Sequence, residues 1–253
     1  MGCKKTTALV VGGMSSIGKD LLEKLCRTYD SILITEISSN YAELQIWCEG
    51  LRKRSPKTRA REYMLDVTDS QQIDELGNYI TSNDLVIDAL YYLAGINILA
   101  PAIRVTEDIW DRIQSVNIRG FFFVSQMVAR NMIMNHGGSI VGIASQHGVV
   151  ASTDRAAYCA SKAAMIHLSK ELSLEWAKYK IRVNTVSPTM ILSEKNETLL
   201  NTPLLRKEYL TKIPMKQYAR PSDVTDAVIF LSSPGAGMIT GHNLIVDGGW
   251  TIS

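Results

Sequence analysis

Short apolar runs separated by longer amphipathic stretches do most to narrow what this chain can fold into. The runs fall at 8–11, 31–35, 62–65, 85–93, 139–143, 182–186 and 244–246. Most do not alternate polar with apolar residues, the pattern of strands covered on both faces. Helical periodicity fills the stretches 18–29, 41–54, 70–82, 107–135, 155–179 and 222–232. Strand–helix alternation predicts an α/β fold, a doubly wound parallel sheet with helices on both faces. A length of 253 residues, 46% of them hydrophobic, suits one such domain with a substantial core.

Charge excludes some partners. Lys plus Arg total 27 and Asp plus Glu 25, a net +2, so no bulk positive field is available to hold a nucleic acid. The four cysteines show no C-x-x-C spacing and read as reduced thiols of a cytoplasmic protein. The histidines show no metal-ligand spacing, so no metal is expected. No membrane span is expected either, because Asp88, Gly95, Asn97 and Pro101 interrupt the most apolar window. The start Met1-Gly2-Cys3-Lys4-Lys5-Thr6 fits the permissive N-myristoylation pattern, but the apolar run at Ala8 leaves little tether, and no lipid is expected. The basic stretch from Arg52 to Arg61 reads as a solvated helix end and loop. Residues 193–218 break the alternation with apolar residues and charges of both signs, and read as a substrate lid.

Two segments suit a dinucleotide. The first strand runs into Val11-Gly12-Gly13-Met14-Ser15-Ser16-Ile17-Gly18 and then a helix. Glycines permit a tight turn and close backbone approach, and a helix N-terminus directs N–H groups at a pyrophosphate. A purely structural turn would look the same. Glu36 ends the second strand, eighteen residues after Gly18. An acid there accepts both ribose hydroxyls of NAD and repels the 2′-phosphate of NADP. The alternative is a plain exposed acid at a strand end.

Catalytic candidates follow. Tyr158 and Lys162 are four apart in a small-residue helix and so share a face. A cation beside a phenol favours the phenolate, bringing its ordinary pKa of about 10 towards a working value. Ser145 ends an apolar strand thirteen residues before Tyr158, at the carboxyl edge where parallel sheets bind ligands. Its hydroxyl suits a carbonyl or alkoxide oxygen. Asn117 falls inside a helical stretch, where asparagine is a poor fit, and reads as a water-holding or helix-kinking residue.

These pieces occur in order with Leu65-Asp66-Val67-Thr68-Asp69, Ala94-Gly95, Val183-Asn184-Thr185-Val186-Ser187-Pro188 and Thr240-Gly241…Val246-Asp247-Gly248-Gly249. The ordered set covers essentially the whole chain and resembles the short-chain dehydrogenase/reductase family in its compact branch. The resemblance implies a Rossmann-type sheet of about seven strands. It implies Tyr158 as acid/base, Lys162 as ribose binder and pKa depressor, Ser145 as substrate orienter and Asn117 as holder of a water. It further implies cofactor contacts from Gly12, Ser15, Ser16, Ile17, Gly18, Asp66, Val67, Ala94, Gly95, Pro188, Ile191 and Ser193. Four motifs depart from the family pattern. Val11 and Ser16 replace a threonine and a glycine of the turn, Tyr92-Leu93 replace an Asn-Asn pair, Thr189 follows Pro188 where glycine is usual, and Ser193 replaces a threonine.

The function so implied is hydride transfer between NAD(H) and a secondary alcohol or ketone. Dihydrodiol dehydrogenases of the dihydroxybenzoate type and 3-oxoacyl-carrier-protein reductases are alternatives, as is an NAD(H)-sensing regulator without turnover. His147 reads either as a substrate contact or as a plain loop histidine. Arg155 reads as a solvated helix-start residue rather than as a contact for an acidic substrate. The partner is a small molecule, and the resemblance implies a homo-oligomer, a tetramer or dimer.

Overall fold

The computed structural model describes residues 6–253, so the acylation pattern at Gly2 and Cys3 lies outside the described residues. Seven strands form one parallel sheet in the order β3-β2-β1-β4-β5-β6-β7. They are β1 Thr7–Val11, β2 Ser31–Glu36, β3 Arg59–Met64, β4 Ile87–Tyr92, β5 Gly138–Ile143, β6 Ile181–Pro188 and β7 Asn243–Val246.

Both faces of β1 are buried, which is why its sequence does not alternate. Leu9 and Val11 face one apolar cluster with residues of α3 (Ser70–Ser82), α5 (Gly120–Met134) and α6 (Ala156–Trp176). Ala8 and Val10 face a second, with residues of α1 (Ser16–Leu25), α2 (Ser38–Arg54) and α9 (Pro221–Ser232). Each fully buried Leu, Val or Ile contributes about 1.5–3 kcal/mol relative to exposure, so the sheet is clamped from both sides. No helix among the described residues is long and apolar enough to cross a membrane.

Two local expectations need correction. The stretch 107–135 is not one helix. α4 (Glu107–Gln114) and α5 are joined by a π-helical turn at Ser115–Arg119 that carries Asn117. The basic stretch is not only helix end and loop, because Arg59–Arg61 enter β3, the sheet edge. There Arg52 hydrogen-bonds Glu62 and the Ala60 carbonyl, and Arg54 pairs with Glu23 at 2.6 Å. Tyr92, one of the pair standing where the family has Asn-Asn, donates from its phenol to the Val116 carbonyl at 2.6 Å. Gly120 makes this possible, since a Cβ there would lie 2.5 Å from the Tyr92 hydroxyl.

Strand order reverses between β1 and β4, and the cleft opens at their carboxyl ends, where such sheets bind ligands. Residues 193–218 carry two short helices, α7 (Glu197–Leu200) and α8 (Pro203–Leu210). A bridge between Ile191 and Ala219 closes the base of this insert.

Candidate active site

Two cavities sit at the carboxyl edge of the sheet. One, of about 320 Å³, lies between the ends of β1, β2 and β3; the other, of about 330 Å³, lies beyond β5 and β6. Both are lined by Leu93, Gly95 and Ile96, so they form two ends of one cleft.

The first end is lined by Gly12, Ser15, Glu36, Asp66, Val67, Ala94 and Gly95. Gly12 has φ +81°, and a Cβ on it would lie 2.9 Å from the Ala94 backbone nitrogen. Only glycine combines that dihedral with that approach. Gly18 stands behind the wall rather than on it, and its missing Cβ, 2.3 Å from the Gly13 carbonyl, lets α1 start close under the turn. Ser15 caps α1 by accepting from the Gly18 amide at 3.0 Å. The preceding amides of the first turn have no helical partner and are oriented for an anion. The Glu36 carboxylate is buried and fixed. It accepts from the Met14 amide at 3.0 Å, the Ile37 amide at 3.2 Å and Asn40 Nδ2 at 3.4 Å. Lys195 from the insert also lines this end, and sequence reasoning missed it because only folding brings residue 195 beside residue 36.

The second end brings together Ser16, Ile17, Ser145, His147, Tyr158, Lys162, Pro188, Ile191 and Ser193. Lys162 is buried and donates to the Ile143 carbonyl at 2.7 Å; burial pushes its pKa down to about 8. Its ammonium lies 5.8 Å from the centre of the Tyr158 ring. Burial raises the Tyr158 pKa, opposed by a hydrogen bond with Ser145 and by the Arg155 charge. Asn117 uses both amide protons on protein, at 3.0 Å to the Ile96 carbonyl and 2.9 Å to Ser161 Oγ, while its Oδ1 accepts the Ile96 amide at 2.8 Å. A Cβ on Gly95 would lie 3.3 Å from Lys162 Nζ and 3.4 Å from Asn117 Oδ1, so glycine here keeps these groups in reach of each other.

Two residues differ from their expected settings. Arg155 is only half-exposed and lines the cavity, with Nε and Nη1 buried and without a hydrogen-bond partner. His147 is no plain loop residue. It is buried with its ring edge-on to Trp250 at 6.0 Å, and burial, Arg155 and Lys212 lower its pKa to about 4. Gln146 and Thr189 also line this end, and no sequence signal singled them out.

Fold and cleft together define an α/β domain with a ligand-sized cleft at the carboxyl edge of its sheet and a lysine–tyrosine–serine group at one end. Known proteins give its family. A family model described as enoyl-(acyl carrier protein) reductase matches residues 12–251. The chain is 33% identical over 245 residues to an NAD-dependent glycerol dehydrogenase of Listeria innocua, covering 97% of this chain and 93% of that one. It is 34% identical over 246 residues to a D-threitol dehydrogenase of Mycolicibacterium smegmatis, covering 97% and 92%. A gluconate 5-dehydrogenase from Burkholderia cenocepacia, solved in complex with NADP and tartrate, superposes with TM-score 0.89 at 28% identity, covering 99% and 97%. The chain belongs to the short-chain dehydrogenase/reductase family. It is an oxidoreductase that acts on alcohol or ketone substrates with a nucleotide cofactor.

Proposed function

We propose that this chain interconverts a small hydroxylated secondary alcohol and its ketone with NAD(H), through Tyr158, Lys162, Ser145 and Asn117. The observation that carries this reading is the buried Lys162 ammonium beside Tyr158, which is itself hydrogen-bonded to Ser145, in a cavity continuous with the Glu36 end of the cleft. The residues present fit a dinucleotide. Gly12 and Gly95 leave room that a Cβ would fill, Glu36 offers acceptors for ribose hydroxyls, and no acid lines the cavity around Lys162. Ser15, Ser16 and Ile17 would hold the pyrophosphate, and Asp66, Val67 and Ala94 the adenosine. Pro188, Ile191 and Ser193 would hold the carboxamide.

When bound, the nicotinamide supplies the two-electron acceptor or donor for the substrate carbon. In ketone reduction Tyr158 Oη gives its proton to the carbonyl oxygen, and in alcohol oxidation it takes the hydroxyl proton. Ser145 hydrogen-bonds the same oxygen as charge develops there. Lys162 holds the nicotinamide ribose and supplies positive charge beside the phenol. Asn117 is a positioning residue that fixes the loop after β4 and leaves its backbone in a π-turn free to hold a water. Residues 193–218 close over the substrate.

The polar wall of Gln146, His147 and Thr189 supports a hydroxylated substrate over an aromatic dihydrodiol or a long acyl chain. Exposed Phe123 and Leu174, with Ala160, Ala163 and Ala164 on α6, support a homo-oligomer built on α5 and α6. The test is Tyr158→Phe with a panel of alditols and ketoses. Turnover should fall by at least ~10³-fold, within the range general acid–base catalysis supplies, while NADH binding persists. Near-normal turnover in that variant defeats the mechanism.

A further inference from the structure

Eight buried side-chain nitrogen or oxygen atoms lack a hydrogen-bond partner among the described residues, and six of them sit in one place. They are Gln146 Nε2 and Oε1, His147 Nδ1, Arg155 Nε and Nη1, and Thr189 Oγ1. All four residues line the cavity beside Tyr158. Gln146 is 1% exposed, and His147 and Thr189 7% each. An unmet buried polar atom costs about 1–3 kcal/mol, more for a charged group, so such a cluster marks where a ligand completes the bonding.

The charge of this wall is one-sided. Arg155 and Lys162 line it and no Asp or Glu does. Lys212 approaches from the insert, with its ammonium 5.5 Å from the Trp250 ring that meets His147. Two nitrogens of the half-buried Arg155 guanidinium are shut off from water and from protein acceptors, a setting that an anion would satisfy, and no Asp or Glu among the described residues lines the cavity. We infer that the substrate carries a carboxylate, received by Arg155, with its hydroxyls met by Gln146, His147 and Thr189. This rests on the alcohol/ketone reading of the site and narrows it to small polyhydroxy acids and their keto forms.

Threonate and threitol test this, being the acid and alcohol of one four-carbon skeleton. The wild-type kcat/KM should favour threonate by at least tenfold. Arg155→Gln should lower that ratio at least tenfold, and Arg155→Lys should restore part of it. Threitol preference in the wild type, or a ratio indifferent to Arg155→Gln, overturns the inference while leaving the alcohol/ketone reading intact. Calorimetric titration of the NADH-loaded protein with tartrate decides the matter should neither substrate turn over. Binding that Arg155→Gln abolishes supports the carboxylate; no binding to the wild type overturns it. Tighter binding of erythrose 4-phosphate than of tartrate would assign the site to phosphate and refute the carboxylate. Failure to bind NADH, by contrast, sinks the parent reading.

Discussion

Replacing Glu36 by Gln removes one negative charge from the adenosine end of the cleft. The amide oxygen still accepts from the Met14 nitrogen, which lies 3.0 Å from the carboxylate, and the side chain keeps its volume, while the bonds from the Ile37 amide and Asn40 to the other oxygen are lost. A 2′-phosphate placed about 4 Å from a carboxylate meets roughly 4 kcal/mol of repulsion per unit charge at an effective dielectric near 20, and about 3 kcal/mol at 6 Å. At about 1.4 kcal/mol per factor of ten, that separates the two dinucleotides by roughly 10²–10³-fold. Burial of Glu36 limits screening by salt, whereas exposed Lys195 on the same cavity offers only a screened counter-charge. Dissociation constants for NADH and NADPH, read from nucleotide fluorescence, need no substrate. The wild type should prefer NADH by at least ~100-fold on this arithmetic, and Glu36→Gln should bring the ratio within about tenfold, chiefly by tightening NADPH. Equal affinity in the wild type, or a ratio untouched by the substitution, refutes the electrostatic reasoning.

Other outcomes follow from the same geometry. Tyr92→Phe strands the Val116 carbonyl and should cost about 1–3 kcal/mol, seen as a fall of several degrees in Tm; an unchanged Tm would mean that the bond contributes nothing. His147 has its folded pKa lowered to about 4 from an ordinary 6.5, so the unfolded chain binds more protons between those values. Its contribution is complete above pH 6.5 and should decline by roughly 3 kcal/mol as pH falls to 4, and His147→Gln should flatten that slope in a Tm–pH series. Because burial raises the Tyr158 pKa, alcohol oxidation should speed up as pH rises above 7 while ketone reduction slows. Oxidation rates flat from pH 7 to 10 would remove Tyr158 as the proton acceptor. Gly12→Ala adds a Cβ 2.9 Å from the Ala94 nitrogen at a φ of +81°, so dinucleotide affinity should drop more than tenfold, measured by calorimetry.

Much of this molecule was legible from its residues. Strands buried on both faces announce themselves because nothing polar is tolerated on either side, as in Ile32-Leu33-Ile34. The edge strand β3 was read three residues short because one of its sides has no neighbour, so Arg59 and Arg61 are admissible there. Asn117 itself hints at a kink, but the form of the break does not show in the sequence. Nothing in Val116-Asn117-Ile118 forbids a continuous helix; the π-turn is held by Ile96, Ser161 and Tyr92, all distant in sequence. Arg155 escaped likewise, since an arginine at a helix start is ordinarily wet, and only folding sets two of its nitrogens against the wall of residues 145–147 and 188–191.

The Ile191–Ala219 bridge has a consequence for how such a chain diversifies. Both ends of the insert meet at one point, with the Leu192 amide bonded to the Ala219 carbonyl at 2.9 Å and the Ala219 amide to the Met190 carbonyl at 3.1 Å. Whatever is strung between those two residues is clasped there, and Met215 adds a second tie, its amide donating to the Gly248 carbonyl at 3.1 Å. The residues between clasp and tie can change without shifting a strand of the sheet, so new appetites can be grafted onto an unchanged reaction centre.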